Sequence, residues 1–248
     1  MKSQDIILLL QLVILETRDN YLKKDKLSVF LTKQAKEEYQ NQRVFQPQSL
    51  PDSERDNDSL ALSLEEISKQ AEHWEGWKND SAAIDSSGQH YSDNRYSVRG
   101  LAESLGIGKT EISNSLKRST SVGMIFLERK TKHPRANRKI LLNFLIHGLK
   151  YVFPAEISPV TRGIPTSFAA PALQPHLRKV GDLIYVWPDP QGKKKGQSVF
   201  PLFPSVPVAV RKNKRLYQYL ALLDAIRLGQ AREEKIAIAM LEKEFFET

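Results

Sequence analysis

The sequence predicts a mostly helical α+β chain, and three observations predict it. Apolar residues run through segment 4–18 and recur at three- and four-residue steps in 138–147, 214–228 and 232–246, as in helices with buried faces. Ten of the 13 prolines fall between Pro154 and Pro207, which forbids long helices there, and two segments inside that stretch alternate apolar and polar residues as strands do. Between residues 43 and 95 the composition turns polar and acidic, too poor in apolar side chains to hold a core of its own. The expected organisation is an N-terminal domain over 1–147, interrupted by an acidic, partly disordered insertion at 43–95, and a C-terminal region over 148–248.

The first helix, 4–18, is capped by Ser3 and apolar around much of its circumference, so it should be buried on most sides. Its run from Ile6 to Leu15 follows Lys2 and invites comparison with a signal peptide. Asp5 stands where that segment should be positive, no small-residue cleavage site follows, and ten residues fall short of the roughly 20 needed to span a bilayer. A buried helix is the reading. A second helix is expected over 27–42, with Leu27, Phe30, Leu31, Gln34 and Ala35 at helical spacing. Inside the insertion, Ser63 and Glu66 form a capping-box pattern ahead of Leu64, Ile67, Ala71 and Trp74, which predicts one short amphipathic helix.

In the C-terminal region, Asp182–Trp187 and Gln197–Phe203 flank the turn-rich segment Pro188–Gly196, which suggests a β-hairpin. Lys214–Leu228 places Leu216, Tyr219, Leu220, Leu223 and Ile226 on one face and stops at Gly229. Arg232–Phe246 follows, with Ile236, Ala239, Met240 and Phe246. These two helices close the chain.

Charge is unevenly spread. Residues 1–95 hold 12 Lys/Arg against 17 Asp/Glu, whereas residues 96–248 hold 25 against 12. Positive charge concentrated in one part of a chain points to a polyanionic partner, because each cation placed on a phosphate releases condensed counterions. The chain has no cysteine, which excludes disulfides, thiolate metal sites and cysteine nucleophiles, and is compatible with a reducing cytoplasm.

Residues 97–125 read SVRGLAESLGIGKTEISNSLKRSTSVGMI. Ser97 caps a short helix that buries Leu101 and Ala102, and the small Ala102 lets a second helix cross closely. Gly106 can adopt a positive φ after the helix, with Leu105 and Ile107 plugging into the core. The next helix, 109–119, buries Ile112 and Leu116. Its outer face shows Lys109, Thr110, Ser113, Asn114, Lys117 and Arg118, side chains that hydrogen-bond base edges or reach guanine and phosphate. Gly123 ends the segment, and Met124–Leu127 is apolar and strand-like. Residues 129–139, RKTKHPRANRK, then place Arg129, Lys130, Lys132, Arg135, Arg138 and Lys139 within eleven positions, with Pro134 and Asn137 marking a loop. Asn137 also suits the cap of a helix over 138–147, packed through Ile140, Leu141, Phe144 and Leu145, which leaves the loop without a well-formed return strand.

On these residues the chain resembles the winged helix-turn-helix of bacterial transcription regulators of the MarR and ArsR type, over about residues 4–18 and 96–140. LAESLGIGKTEISNSLKR followed by GMI is similar to their second helix, turn and recognition helix running into the first wing strand. The resemblance implies that the outward residues of 109–119 enter the major groove and that the basic loop 129–139 acts as a wing on phosphates or in the minor groove. It also implies a homodimer on a two-fold site. Gly108 departs from the pattern where a capping Ser or Thr is usual, Ser119 and Ser121 depart where apolar residues are usual, and the insertion of some 75 residues is foreign to it.

Enzymatic features are lacking. Gly106-Ile107-Gly108-Lys109-Thr110 contains GKT without the preceding glycine and strand of a phosphate loop, the five histidines are scattered, and no acidic pair sits in an apolar context. Arg162, Gly163, Thr166 and Ser167, in TRGIPTSFAAP, read as a turn-rich packing segment. The expectation is a dimeric cytoplasmic repressor binding double-stranded DNA, with no catalytic residue, cofactor or metal and no membrane partner. Two alternatives share the reader: an antitoxin-like autorepressor whose C-terminal region restrains a partner protein, and a replication or partition protein.

Overall fold

A computed structural model describes residues 1–41, 94–171, 173 and 184–246, of which 25–41 are described in their backbone alone. The acidic insertion, with the helix expected over 64–74, lies outside the described residues. The chain is α+β and mostly helical. Its contacts divide it into two units, Met1–Leu15 with Trp74–Thr248, and Glu16–His73.

Segments 4–18 and 27–42, expected as two helices, form one: α1 runs Ser3–Asn41. Residues 19–26, DNYLKKDK, contain neither Gly nor Pro, so nothing in the backbone chemistry interrupts the ladder between them. Of the second unit the structure describes this helix from residue 16 to 41, with side chains as far as residue 24. In the first unit Ile6 to Leu10, Leu12 and Val13 are fully enclosed, so the start of α1 is buried on every side. No described helix is long and apolar enough to cross a membrane.

The rest of the first unit starts with α2 (Val98–Leu105) and α3 (Lys109–Ser121), followed by β1 (Ile125–Leu127) and β2 (Pro134–Ala136). Then come α4 (Arg138–His147), α5 (Leu149–Val152) and β3 (Ile157–Thr166). The chain ends with β4 (Tyr185–Pro188), β5 (Lys194–Val199), α6 (Val206–Lys212), α7 (Lys214–Leu228) and α8 (Ala231–Phe246). Local chemistry sets the helix ends, as expected at Ser97, Gly106, Asn137 and Gly229 and, beyond those, at Asn213. Ser97 accepts from the Gly100 amide, Asn137 from Ile140, and Asn213 from Arg215 and Leu216, while Gly106 (φ 63°) and Gly229 (φ 69°) close α2 and α7 in the left-handed region.

The hairpin expected from 182–187 and 197–203 does not form. β4 and β5 run parallel to each other, and each pairs antiparallel with β3, closing a small three-stranded barrel. Gly163 is where β3 changes partner, facing Pro188 on one side and Lys194 on the other. The ten-residue β3 is long enough to serve both strands in succession, so β5 continues along it instead of folding back on β4. Gly163 has to be glycine: a Cβ there would lie 1.9 Å from the Trp187 carbonyl oxygen. The TRGIPTSFAAP segment is therefore mostly strand, not turn. Ahead of it in β3, Pro159 sits at the register shift between Ser158 and Val160, where a missing amide is tolerated.

α7 is buried around its whole circumference from Tyr219 to Arg227, not along one face, because the barrel, α6, α8 and the 3₁₀ turn Ser167–Ala169 surround it. Burying that much helix brings polar groups inside. Asp224 Oδ2 accepts from Trp187 Nε1 at 2.6 Å and from Thr166 Oγ1 at 2.8 Å, and its Oδ1 accepts from Arg227 Nη1 at 2.6 Å. Burial pushes the Asp224 carboxyl up, opposed by Arg227 and these donors. Arg227 also donates to the carbonyls of Phe153 and Pro154, tying α7 to the chain ahead of β3. Thr166, singled out in the sequence, is thus a buried partner of Asp224.

Candidate nucleic-acid interface

α3 has two unlike faces. Ile112, Ser115 and Ser119 point inward, at the i, i+3 and i+7 steps of a helix. Lys109, Thr110, Asn114 and Lys117 are exposed and Ser113 is half-buried, so five of the residues expected to face a ligand are gathered on one side. The start of α3 has no side-chain cap, in keeping with Gly108 at that position. The turn before it is closed by the Ile107 amide, which donates to the Ala102 carbonyl at 3.2 Å, and the first bond of the helix runs from the Ile112 amide to the Gly108 carbonyl at 3.0 Å.

Arg118 is placed differently from the expectation. Its Nη2 lies 2.6 Å from Asp5 Oδ1 and its Nε 3.1 Å from Asp5 Oδ2, a two-pronged pair with a fully enclosed carboxylate on α1. Ser115 Oγ donates to the same carboxylate at 2.6 Å, and Gln4 Nε2 donates to Glu111. Gln4 and Asp5 therefore grip α3 at positions 111, 115 and 118, and Arg118 serves to fix the helix. Of the two serines expected at usually apolar positions, Ser119 is buried and Ser121 is exposed, and Ser115 is buried as well. Ser115 is explained by Asp5, whereas the Ser119 hydroxyl has no hydrogen-bond partner.

Burial alone pushes the Asp5 carboxyl up, but Arg118, the Lys2 amide and Ser115 outweigh it, so the group is held below the usual carboxylate range. A lowered folded-state pKa adds stability that is complete above the unfolded value and is lost as pH falls through the folded one. Asp5→Ala is expected to cost about 2–3 kcal/mol at neutral pH, since Ser115 loses its partner and Arg118 its pair. In thermal melts, the gap between wild type and Asp5→Ala should narrow below about pH 4, where the unfolded-state carboxylate protonates. A gap that stays constant down to pH 2 would show that the ion pair contributes nothing.

β1 and β2 form an antiparallel hairpin, Ile125 opposite Ala136, so the basic loop does have a return strand. Pro134 opens that strand, where its missing amide does no harm. The hairpin is braced from within by Arg135, which is buried and not the surface cation it was expected to be. Its Nη2 lies 2.7 Å from Glu128 Oε2, its Nη1 donates to the Tyr96 hydroxyl, and its guanidinium sits over the Tyr96 ring at 4.9 Å. His133 stacks on Tyr96 as well, the two ring centroids 4.3 Å apart. Arg135 and Ala136 are both buried, on opposite faces of the strand, and it is Glu128 and Tyr96 that receive the Arg135 guanidinium. Arg129, Lys130 and Lys132 remain exposed at the tip, with Lys132 in the left-handed region (φ 59°). Arg138 Nη1 donates to the Phe245 carbonyl at 2.8 Å, which turns it toward α8 and away from the tip.

The exposed cations and amides thus separate into two groups on one chain segment, the outer face of α3 and the β1–β2 tip. Asp5, Ser115, Tyr96 and Glu128 hold them in place, and none of the four was singled out in the sequence. Asp5 did carry a signal, a lone carboxylate at the edge of an otherwise apolar run. Among the described residues no group of three or more His, Asp or Glu is arranged to hold a metal ion. Comparison with known proteins found no matching family model, no matching curated protein and no matching solved structure.

Proposed function

We propose that the chain is a sequence-specific DNA-binding regulator of the winged helix-turn-helix type, with α3 as its recognition helix and the β1–β2 hairpin as its wing. The observation that carries this reading is the division of α3 itself. Its inner face is clamped by an ion pair to α1, while its outer face offers Lys109, Thr110, Ser113, Asn114 and Lys117, short or cationic groups suited to base edges and phosphates. A helix packed only for structure has no need of that combination. Arg129, Lys130 and Lys132 at the braced tip then reach the backbone beside the groove. Two copies act together on a two-fold site, as one short helix reads too few base pairs for specificity. In this reading Arg118, Arg135 and Arg138 shape the reader without touching DNA.

Binding to the gene's own promoter and to a scrambled fragment of equal length, at several salt concentrations, tests the proposal. Tighter binding to the promoter at physiological salt is expected, and Asn114→Ala should reduce that preference by about 1–3 kcal/mol at one base position. Equal, steeply salt-dependent binding to both fragments would overturn sequence-specific regulation. An unchanged preference in Asn114→Ala would overturn the assignment of α3.

A further inference from the structure

Three consecutive side chains at the junction of α6 and α7 reach three different parts of the first unit. Arg211 donates to Asp189 Oδ2 at 2.6 Å and to Gln191 Oε1, in the turn between β4 and β5. Lys212 Nζ donates to the Glu103 carbonyl of α2 at 2.8 Å. Asn213 Nδ2 donates to Gln11 Oε1 of α1 at 3.0 Å, while its Oδ1 caps α7. Asp189 is buried and also accepts from the Gln191 amide at 2.8 Å, so the barrel end of this junction is held on two sides.

The Lys212 contact falls where α2 needs it. Glu103 lies in the last turn of α2, where carbonyls lack a partner farther along the helix. The two amides that follow the helix, those of Gly106 and Ile107, both donate to Ala102 and leave the Glu103 carbonyl to Lys212. A cation is also the charge that a helix C-terminus favours. Earlier on α6, Val208, and Ser205 at its cap, lie against Gly106, where a Cβ would meet them at 3.5 Å and 3.7 Å. Gly106 is the left-handed residue on which the chain turns from α2 toward α3. The end of α2 and the turn behind it are therefore held from outside, by a helix that is itself tied to the barrel and, through Asn213, to α1.

We infer that Lys212 and Arg211 are positioning residues for DNA reading: through α6 they set the angle at which α3 leaves the turn, and they touch neither base nor phosphate in doing so. This rests on the proposed DNA-binding function and names what orients its recognition helix. Gln4 and Asp5 of α1 grip α3, and Asn213 joins the junction to that same helix, so α2, the turn and α3 share one mounting. Base-edge hydrogen bonds depend on how α3 sits in the groove, whereas phosphate contacts respond to charge. Loosening the mounting should therefore cost sequence preference and leave the salt dependence of binding as it was.

The test compares wild type with Lys212→Met, Lys212→Arg, Arg211→Gln and the Arg211→Gln/Lys212→Met pair on the promoter and scrambled fragments, each well below its melting temperature. Hydrogen exchange of the free proteins is measured alongside. Lys212→Met keeps the length of an exposed side chain, so the fold should be retained. It should lower the ratio of promoter to scrambled affinity about three- to tenfold, with the slope of log K against log salt unchanged. Lys212→Arg should restore the ratio. Arg211→Gln should lower it as well, and the pair should lose no more than the larger single loss, because both act through α6. In the free protein, the Ile107 and Ile112 amides should exchange faster in Lys212→Met than in wild type. Where wild type prefers the promoter, an unchanged ratio in Lys212→Met would overturn the inference and leave the proposed function standing. A slope reduced by about 1 with the ratio preserved would overturn it too, since Lys212 would then be a phosphate contact. Losses that add in the pair would overturn the shared route through α6. If wild type shows no preference, the reader assignment fails; the mounting by α6 still stands if the amides exchange faster and falls if they do not.

Discussion

Asp224→Ala is expected to destabilise the protein by about 3–5 kcal/mol, the range for removing one member of a buried ion pair. The cost comes from what is left behind. Arg227 keeps its charge with a side chain only 4% exposed, and the Trp187 indole N–H and Thr166 hydroxyl lose the acceptor they share. For a chain of this size the melting temperature should fall by about 10 °C. Removing both charges should be milder than removing one. Asp224→Ala combined with Arg227→Leu is therefore expected to melt higher than Asp224→Ala alone. If the double variant is the less stable of the two, the pair is a net source of stability and not a way of satisfying groups that burial has stranded.

The other large effect concerns binding. Replacing Arg129, Lys130 and Lys132 with alanine is expected to weaken DNA binding about 1000-fold near 0.1 M salt. Each phosphate neutralised contributes a slope near 0.9 in log K against log salt, which amounts to roughly one decade of affinity between 0.1 M and 1 M. The slope should fall by about 3, with the fold intact, because all three side chains are exposed at the tip. Arg135→Ala, in the same hairpin, should behave in the opposite manner. Its buried guanidinium joins Glu128 to Tyr96, so its loss is expected to lower the melting temperature first and DNA affinity only through the loosened hairpin. Equal losses of slope in the two variants would mean that the internal brace opens on DNA.

What could be read from sequence was local. Ser97, Gly106, Asn137 and Gly229 each announce a helix end by their own chemistry, and the structure uses all four as caps or C-terminal turns. What could not be read was partnership across distance. Alternation marked residues 182–187 and 197–203 as strands, yet strand pairing is decided by β3, hidden by Pro159, Gly163 and Pro165. The same limit applies to the basic loop. Composition put six cations there, and only the contacts of Arg135 with Glu128 and Tyr96 show that it turns in while Lys132, in the turn before β2, stays out. Within α3 the outward residues were legible from helical spacing, but Arg118 was not separable from Lys117, because the carboxylate that claims it lies 113 positions away.

Most of the buried apolar residues of the first unit form one cluster, joining Ile112 of α3 and Leu101 of α2 to Trp187 of β4, Leu216 and Ile226 of α7 and Phe245 of α8. A fragment ending at residue 147 would present those inner surfaces to water and lose the helix that fills the middle. The proposed reader is therefore not a portable cassette. Descendants of this gene can retune α3 or the tip by point substitution, but they cannot trade the reader for another without rebuilding the barrel and α7 around it. Heredity here acts on the whole first unit, and its history should show residues changing in place where modular regulators show domains exchanged.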